Sequence, residues 1–357
     1  MQIIKYLIIA LFGVYAVLAQ GRNGTNATIF ELLTSKNATY KTSSFINLLN
    51  SDSGYKPIIQ LLSERTRNLT VFVPDDAALG KIFDDYRKYN SIHRSKTKRR
   101  YPPANWTYHN LSMLNILQYH MVNNSFLLSN LKKGNVSVVY SLLNDRRVNR
   151  LPNLSLPLLI QANTTFENAN NQNWLAKNAK HLKFNVGNGV DSSIVVLKDL
   201  KAKNGYFNII NSVLIPPSKP SIVIPKVKEV SYLVPLLRKY PKLTSALNGA
   251  TNFTIFAPTN EAFKRLNIHR MTYNRLQRLA LSHVVHGVYY STNFTQNVNS
   301  TNGRWNLTTF NNNSKLPVSV VNGSLIYLNN TAKIVRSNIF FNNGVMHIID
   351  RALNITA

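Results

Sequence analysis

The 357-residue chain carries 42 Lys+Arg against 14 Asp+Glu, a formal charge of +28, and has no cysteine. Its length suits two domains, and an apolar content of 44% is too high for wholesale disorder. Without cysteine there is no disulfide framework, thiol nucleophile or Cys-ligated metal centre, and so few carboxylates leave little for acid–base or hard-metal chemistry.

In chain order, Lys5 precedes the apolar run Tyr6–Leu18, followed by Ala19 and the polar Gln20-Gly21-Arg22-Asn23. This pattern predicts a secretory signal peptide over residues 1–19, with Val17 and Ala19 at −3 and −1 of the cut. The alternative is a retained anchor. No later stretch reads as a membrane span, and the C-terminal Asp350–Ala357 lacks the hydrophobic tail of a lipid-anchor signal. Residues 20–43 form an N-terminal segment ahead of the first domain.

Asn-x-Ser/Thr triplets begin at Asn23, Asn26, Asn37, Asn68, Asn105, Asn110, Asn123, Asn135, Asn153, Asn163, Asn252, Asn293, Asn299, Asn306, Asn312, Asn322, Asn329 and Asn354. Chance pairing of 48 Asn with 51 Ser+Thr predicts about 7 such triplets, against 18 present. An excess of this size behind a signal peptide implies N-glycosylation in the secretory pathway and surface placement of the used asparagines.

Three motifs recur in the same order. Asn68-Leu-Thr-Val-Phe-Val-Pro74-Asp75 returns as Asn252-Phe-Thr-Ile-Phe-Ala-Pro258-Thr259. Each copy reads as a β-branched strand stopped by proline, with Asp75 or Thr259 placed to cap a helix. Leu117-Gln-Tyr119-His120-Met-Val122 is matched by Leu281-Ser282-His283-Val-Val285. Asn204-Gly205-Tyr-Phe-Asn208-Ile-Ile-Asn211 is matched by Asn343-Gly344-Val-Met-His347-Ile-Ile-Asp350, an Asn-Gly turn entering a short alternating strand. The chain is therefore read as a tandem duplication.

From first motif to histidine there are 52 residues in the first copy and 31 in the second; from histidine to Asn-Gly there are 84 and 60. The first copy's surplus is assigned to a basic loop, 84–105, and an Asn-rich loop, 144–181. The basic loop holds Arg94, Lys96, Lys98, Arg99 and Arg100, the candidates for polyanion contact. Lys98-Arg99-Arg100 and Arg146-Arg147 also have the form of dibasic processing sites. Pro216-Pro-Ser-Lys-Pro220 supplies the linker, set at 218–220, between domains spanning 44–217 and 221–357.

These segments resemble the fasciclin-like (FAS1) domain, through Pro74, Asp75, Tyr119, His120 and Gly205 in one copy and Pro258, Thr259, His283, Gly344, His347 and Asp350 in the other. The resemblance implies an α+β fold of two tandem modules, each a wedge-shaped β-sandwich with packed helices. It also implies a secreted or cell-surface setting in adhesion and matrix assembly. Two positions depart: Asn208 stands where the second copy has His347, and Ser282 where the first has Tyr119.

Leu276, Leu279, Ala280, His283 and Val284 share one helical face, and Leu114, Leu117, His120 and Met121 nearly repeat it, which makes both histidines structural. His283 and His286 lie three apart, but no acids are spaced to complete a metal site. Neither nucleophile elbow, phosphate loop nor facing carboxylate pair is present, so no catalytic residue, cofactor or metal is assigned. The charge divides evenly, with 25 Lys+Arg and 11 Asp+Glu in 22–217 and 16 and 3 in 218–357. Such a surface suits extracellular proteins and anionic glycans, with anionic lipid headgroups as a further class; nucleic acid is not expected in this compartment. The sequence reads as a non-enzymatic adhesion, matrix or wall-associated protein. The alternatives are a vacuolar or endomembrane lumenal location, or a hydrolase with an unrecognised site.

Overall fold

The computed structural model describes residues 26–36, 40–92, 99–165, 181–266, 268–300 and 305–353. The signal segment, Asn23, Asn37, Asn354, Arg94, Lys96 and Lys98 lie outside these residues.

In the first repeat, helices α1 (Ile29–Thr34), α2 (Ser43–Asn50) and α3 (Lys56–Ser63) precede β1 (Leu69–Pro74). All six residues of β1 are buried, as expected of a β-branched strand in a sheet covered on both faces. Helix α4 (Asp76–Ile92), the hairpin β2 (Thr107–Tyr108) and β3 (Leu111–Ser112), and α5 (Met113–Tyr119) follow. The remaining strands are β4 (Met121–Val122), β5 (Val136–Tyr140), β6 (Pro157–Thr165), β7 (His181–Gly187), β8 (Ser192–Ala202) and β9 (Gly205–Ile210).

The sheet order is β4-β1-β9-β8-β7-β6-β5, with β1 antiparallel to β4 and parallel to β9 in the register Leu69↔Gly205 to Pro74↔Ile210. Strand β8 is shared between two half-sheets. Its start pairs with β7 and its end with β9, with register shifts between Val195 and Leu200. Bulges of this kind bend a strand and let one sheet turn into a second layer.

The second repeat follows the same plan. Helices α6 (Pro220–Val223), α7 (Leu233–Lys239) and α8 (Pro241–Gly249) lead to β10 (Phe253–Pro258). Helix α9 (Asn260–Lys264), α10 (Tyr273–Ser282), β11 (Val284–His286) and α11 (Ser291–Ser300) come next. Strands β12 (Trp305–Thr308), β13 (Lys315–Val321), β14 (Leu325–Leu328), β15 (Ala332–Phe340) and β16 (Gly344–Ile349) complete it. Its order, β11-β10-β16-β15-β14-β13-β12, mirrors the first sheet element for element, and the bulges recur between Ile334 and Ile339. Each repeat is thus the expected wedge-shaped α+β sandwich.

By packing, one compact unit includes Met121–Asn130 and Val195–Asn211 with the N-terminal part up to Trp106; the other holds Thr107–His120, Leu131–Ile194 and everything from Ser212.

The two Asn-Gly glycines are required by the parallel pairing they open. Gly205 has φ +131°, and a Cβ there would stand 1.9 Å from the Leu69 carbonyl oxygen. A Cβ on Gly344 would stand 2.5 Å from that of Phe253. No other residue lets the closing strand lie so near the first one.

Three expectations need correction. The basic loop is helical as far as Ile92, because α4 buries Ile82, Phe83 and Tyr86 and sets Arg87 and Lys88 one turn beyond Asp84 and Asp85. The Asn-rich loop contains β6, whose Leu158, Leu159, Ile160 and Ala162 are buried. The strand of His347 does not alternate, since all six residues of β16 are buried. The linker's last residue, Pro220, is the first of α6, where a missing N–H costs nothing.

Candidate functional site

The repeated motifs hold backbone. Asp75 Oδ1 accepts from the Ala78 N–H at 2.7 Å and Thr259 Oγ1 from that of Ala262 at 3.2 Å, so both cap the helix after the proline-stopped strand. Pro74 and Pro258 cannot donate, and the next residue takes over: the Asp75 N–H bonds the Ile210 carbonyl and the Thr259 N–H that of Ile349, each at 2.9 Å.

His120 and His283 follow α5 and α10 as their C-caps, and both are buried. Nδ1 of His120 lies 2.7 Å from the Ile116 carbonyl, and Nε2 accepts from the Leu214 N–H at 2.9 Å. For His283 the partners are the Leu279 carbonyl at 2.8 Å and the Leu353 N–H at 2.9 Å. An Nε2 that accepts places the proton on Nδ1, so each ring is neutral and ties the segment after the closing strand back to a helix end. Burial pushes both pKa values down to about 4, against the backbone bond that opposes it.

The two departures between copies have the same kind of explanation. Asp199 and Asn338 are the left-handed bulge residues of β8 and β15, with φ +55° and +63°. Asn208 Oδ1 accepts the Asp199 N–H at 2.8 Å, and His347 Nδ1 faces the Asn338 N–H at 3.4 Å. Either side chain supplies the single acceptor that the bulge needs. His347 also meets the Tyr289 carbonyl through Nε2 at 2.8 Å, and burial lowers its pKa to about 4. Tyr119 donates to the Pro157 carbonyl at 2.7 Å, whereas Ser282 turns back to the Arg278 carbonyl of its own helix at 2.9 Å.

Sequence reasoning missed the role of the asparagines before the two glycines. Asn204 Nδ2 donates to the Leu62 and Glu64 carbonyls at 3.0 and 3.1 Å, and its Oδ1 accepts from the Ile29 N–H at 2.9 Å. Asn343 Nδ2 reaches the Leu247 and Ala250 carbonyls at 2.9 and 2.7 Å. Recurrence of Asn-Gly in both copies was the available signal, but it was read as a turn alone.

Most of the described carboxylates are engaged by backbone N–H groups, hydroxyls or cations, though several of them are exposed. Asp76 accepts from Ser43 and Ser44, Asp199 from the Leu128 and Ser129 N–H groups, and Asp350 from the Lys333 N–H. Glu64 pairs with Arg67, Glu229 with Arg336 and Asp52 with Arg99. Asp145 is held by Arg147 through side chain and backbone and by Asn115, and these bonds keep its carboxyl far below the usual range. Of the polyanion candidates described, Arg99 is therefore engaged by Asp52 at 2.8 Å, and Arg100 stands 5.5 Å from the centre of the Tyr101 ring. Among the described residues, no group of three or more His, Asp or Glu is placed to hold a metal, and no helix is long and apolar enough to cross a membrane.

Burial separates the asparagines of the triplets from those of the core. Those buried are Asn115, Asn149, Asn188, Asn204, Asn208, Asn311, Asn338 and Asn343, and none begins an Asn-x-Ser/Thr triplet. The triplet asparagines Asn26, Asn68, Asn105, Asn110, Asn123, Asn135, Asn153, Asn163, Asn252, Asn306, Asn312, Asn322 and Asn329 are all exposed, as are some asparagines outside triplets, such as Asn50, Asn130 and Asn274. Asn110, Asn153, Asn252, Asn312, Asn322 and Asn329 have φ between +48° and +65°, in the left-handed turns that asparagine tolerates. Asn293 is half-buried and accepts the Tyr290 N–H at the start of α11.

The fasciclin domain model matches residues 40–216 and 228–355. A curated relative, a fasciclin-like arabinogalactan protein of Arthroderma benhamiae, is 26% identical over 167 residues, 46% of this chain and 37% of its own length. The chain thus spans little more than a third of that relative. Among solved structures, a FAS1 domain pair from the insect cell adhesion molecule Fasciclin I aligns over 88% of this chain and 97% of its own. Its TM-score is 0.39 and its identity 17%. With two family matches covering most of its residues, the chain belongs to the fasciclin family.

Proposed function

We propose that this is a secreted, N-glycosylated adhesion protein of the extracellular matrix or cell wall, which binds anionic glycans and partner proteins through a basic surface. The observation that carries this reading is the disposition of charge. Most of the described carboxylates serve caps, bulges and ion pairs, while cations such as Lys56, Lys132, Lys133, Lys203, Lys242 and Arg270 are exposed. After removal of residues 1–19, which takes Lys5, a net +27 is left for partners to neutralise. The family supports an extracellular or cell-surface setting and an adhesion-type role. Exposure of the triplet asparagines supports export through a glycosylating pathway, and the work assigned to the histidines supports binding over catalysis.

The test is chromatography of the secreted protein on immobilised heparin. Exposed charges act over about 10 Å at 0.1 M salt and about 3 Å at 1 M. Retention near physiological ionic strength, with release as salt rises toward 1 M, is the expected result. Changing Arg99 and Arg100 to alanine shifts elution only slightly, since Arg99 is already engaged. Passage through the column unretained at 0.1 M salt rejects the glycan-binding reading.

A further inference from the structure

Within the second repeat, a cavity of about 180 Å³ lies between helices α7, α8 and α10 and strand β10. Its walls include Leu237, Leu247, Ala257, Phe263, Leu276 and Phe310. Neither α7 nor α8 has a buried residue, although both contribute leucines to the lining. The first repeat treats the corresponding helices differently: Phe45, Leu48 and Leu49 of α2 and Ile58 and Leu62 of α3 are at most 1% exposed. At one position of the strand, Val73 in the first copy is Ala257 in the second. The first repeat fills its core at this point with its own side chains; the second leaves space.

The space suits hydrocarbon. The lining is aliphatic and aromatic apart from His283, whose two ring nitrogens are occupied by Leu279 and Leu353. A water needs two to four polar partners and finds none free here, whereas apolar cavities of about 150 Å³ stay dry and accept benzene-sized guests. Charge narrows the choice of guest. The elements forming the walls carry the exposed cations Arg238, Lys239, Lys242, Lys264, Arg275 and Arg278, against one acid, Glu261. We propose that this cavity binds the tail of a single-chain fatty-acid carboxylate, with the headgroup drawn to the basic exterior. The apolar cavity is distinct from the glycan-binding reading and stands or falls without it, although a cation such as Lys242 belongs to both surfaces.

The test is calorimetric titration of the delipidated full-length protein with hexanoate, octanoate and decanoate below their micellar range. Affinity should rise about fourfold per added methylene while the cavity has room. Decanol should bind more weakly than decanoate at low salt, and the difference should shrink as salt is added. Ala257→Leu and Ala280→Leu, from two different walls, should each weaken decanoate at least tenfold while thermal unfolding stays cooperative. Ala257→Val, which installs the first repeat's residue, gives a milder loss and serves if the larger change prevents folding. Absence of saturable decanoate binding overturns the proposal, as does binding that both filling variants leave intact. A concentration-dependent dimer abolished by Ala257→Leu would assign the space to a second copy and overturn it as well.

Discussion

Acidification from pH 6.5 to pH 4 should destabilise the fold by about 3 kcal/mol for each of His120, His283 and His347. All three are buried and neutral, with pKa values lowered from the ordinary 6.5 to about 4. Between these values the unfolded chain takes up a proton at each histidine and the folded chain does not. The stabilisation is therefore complete above pH 6.5 and is lost as pH falls toward 4. Carboxylates held by ion pairs, such as Asp145 and Glu64, have lowered pKa values and begin to lose their contribution only below about pH 5, so the fall between pH 6.5 and pH 5 belongs to the histidines. Thermal unfolding followed by circular dichroism across this range reads the effect. His347→Asn, which borrows the acceptor used at Asn208, should remove about a third of the slope while retaining the fold. His120→Ala should cost stability at neutral pH too, because the Leu214 N–H and the Ile116 carbonyl lose their partner. A midpoint that does not move between pH 6.5 and pH 4 would mean that the rings are not buried as described.

Removing Asn204 should have a comparable effect at every pH. Its side chain binds two carbonyls at the end of α3 and just after it and the first N–H of α1, and it is fully buried. Alanine would strand the Ile29 N–H and the Leu62 carbonyl, each worth about 1–3 kcal/mol when buried without a partner, and leave the Glu64 carbonyl with the Arg67 N–H alone, for a total of about 2–6 kcal/mol. Asn204→Asp keeps the acceptor for Ile29 but presents oxygen to two carbonyl oxygens, so it should fare no better. Asn343→Ala should be somewhat milder, since the Asn343 Oδ1 has no partner to lose. Denaturant midpoints measure all three, and a loss below 1 kcal/mol for Asn204→Ala would show that the clamp is dispensable.

The duplication was legible because its motifs are defined by local chemistry: a β-branched run, a proline that cannot donate, a capping side chain and an Asn-Gly turn. The histidines were readable as structural from their apolar stripe, though not their partners, which come from Leu214 and Leu353 some 70 to 94 residues away. Strand β6 was hidden because its register is set by β5 and β7 and its composition is mixed, with Asn163 and Gln161 among buried leucines. The continuation of α4 to Ile92 was hidden by its charges, which face solvent while Phe83 packs against Tyr101 and Tyr86 against Trp106. The Asn-x-Ser/Thr triplets could be found because the pattern is three residues long. The cavity could not, because a void is a property of how helices settle on a strand.

Peptide mass spectrometry of the protein recovered from the medium, after enzymatic glycan removal that marks each occupied asparagine, tests the account of an exported binding protein most directly. The mature chain should begin at Gln20 and carry marks at exposed triplets such as Asn105, Asn135, Asn306 and Asn322. Asn293, half-buried at the start of α11, should be occupied least. A chain retained in the cytosol, starting at Met1 and unmarked at every triplet, would contradict it.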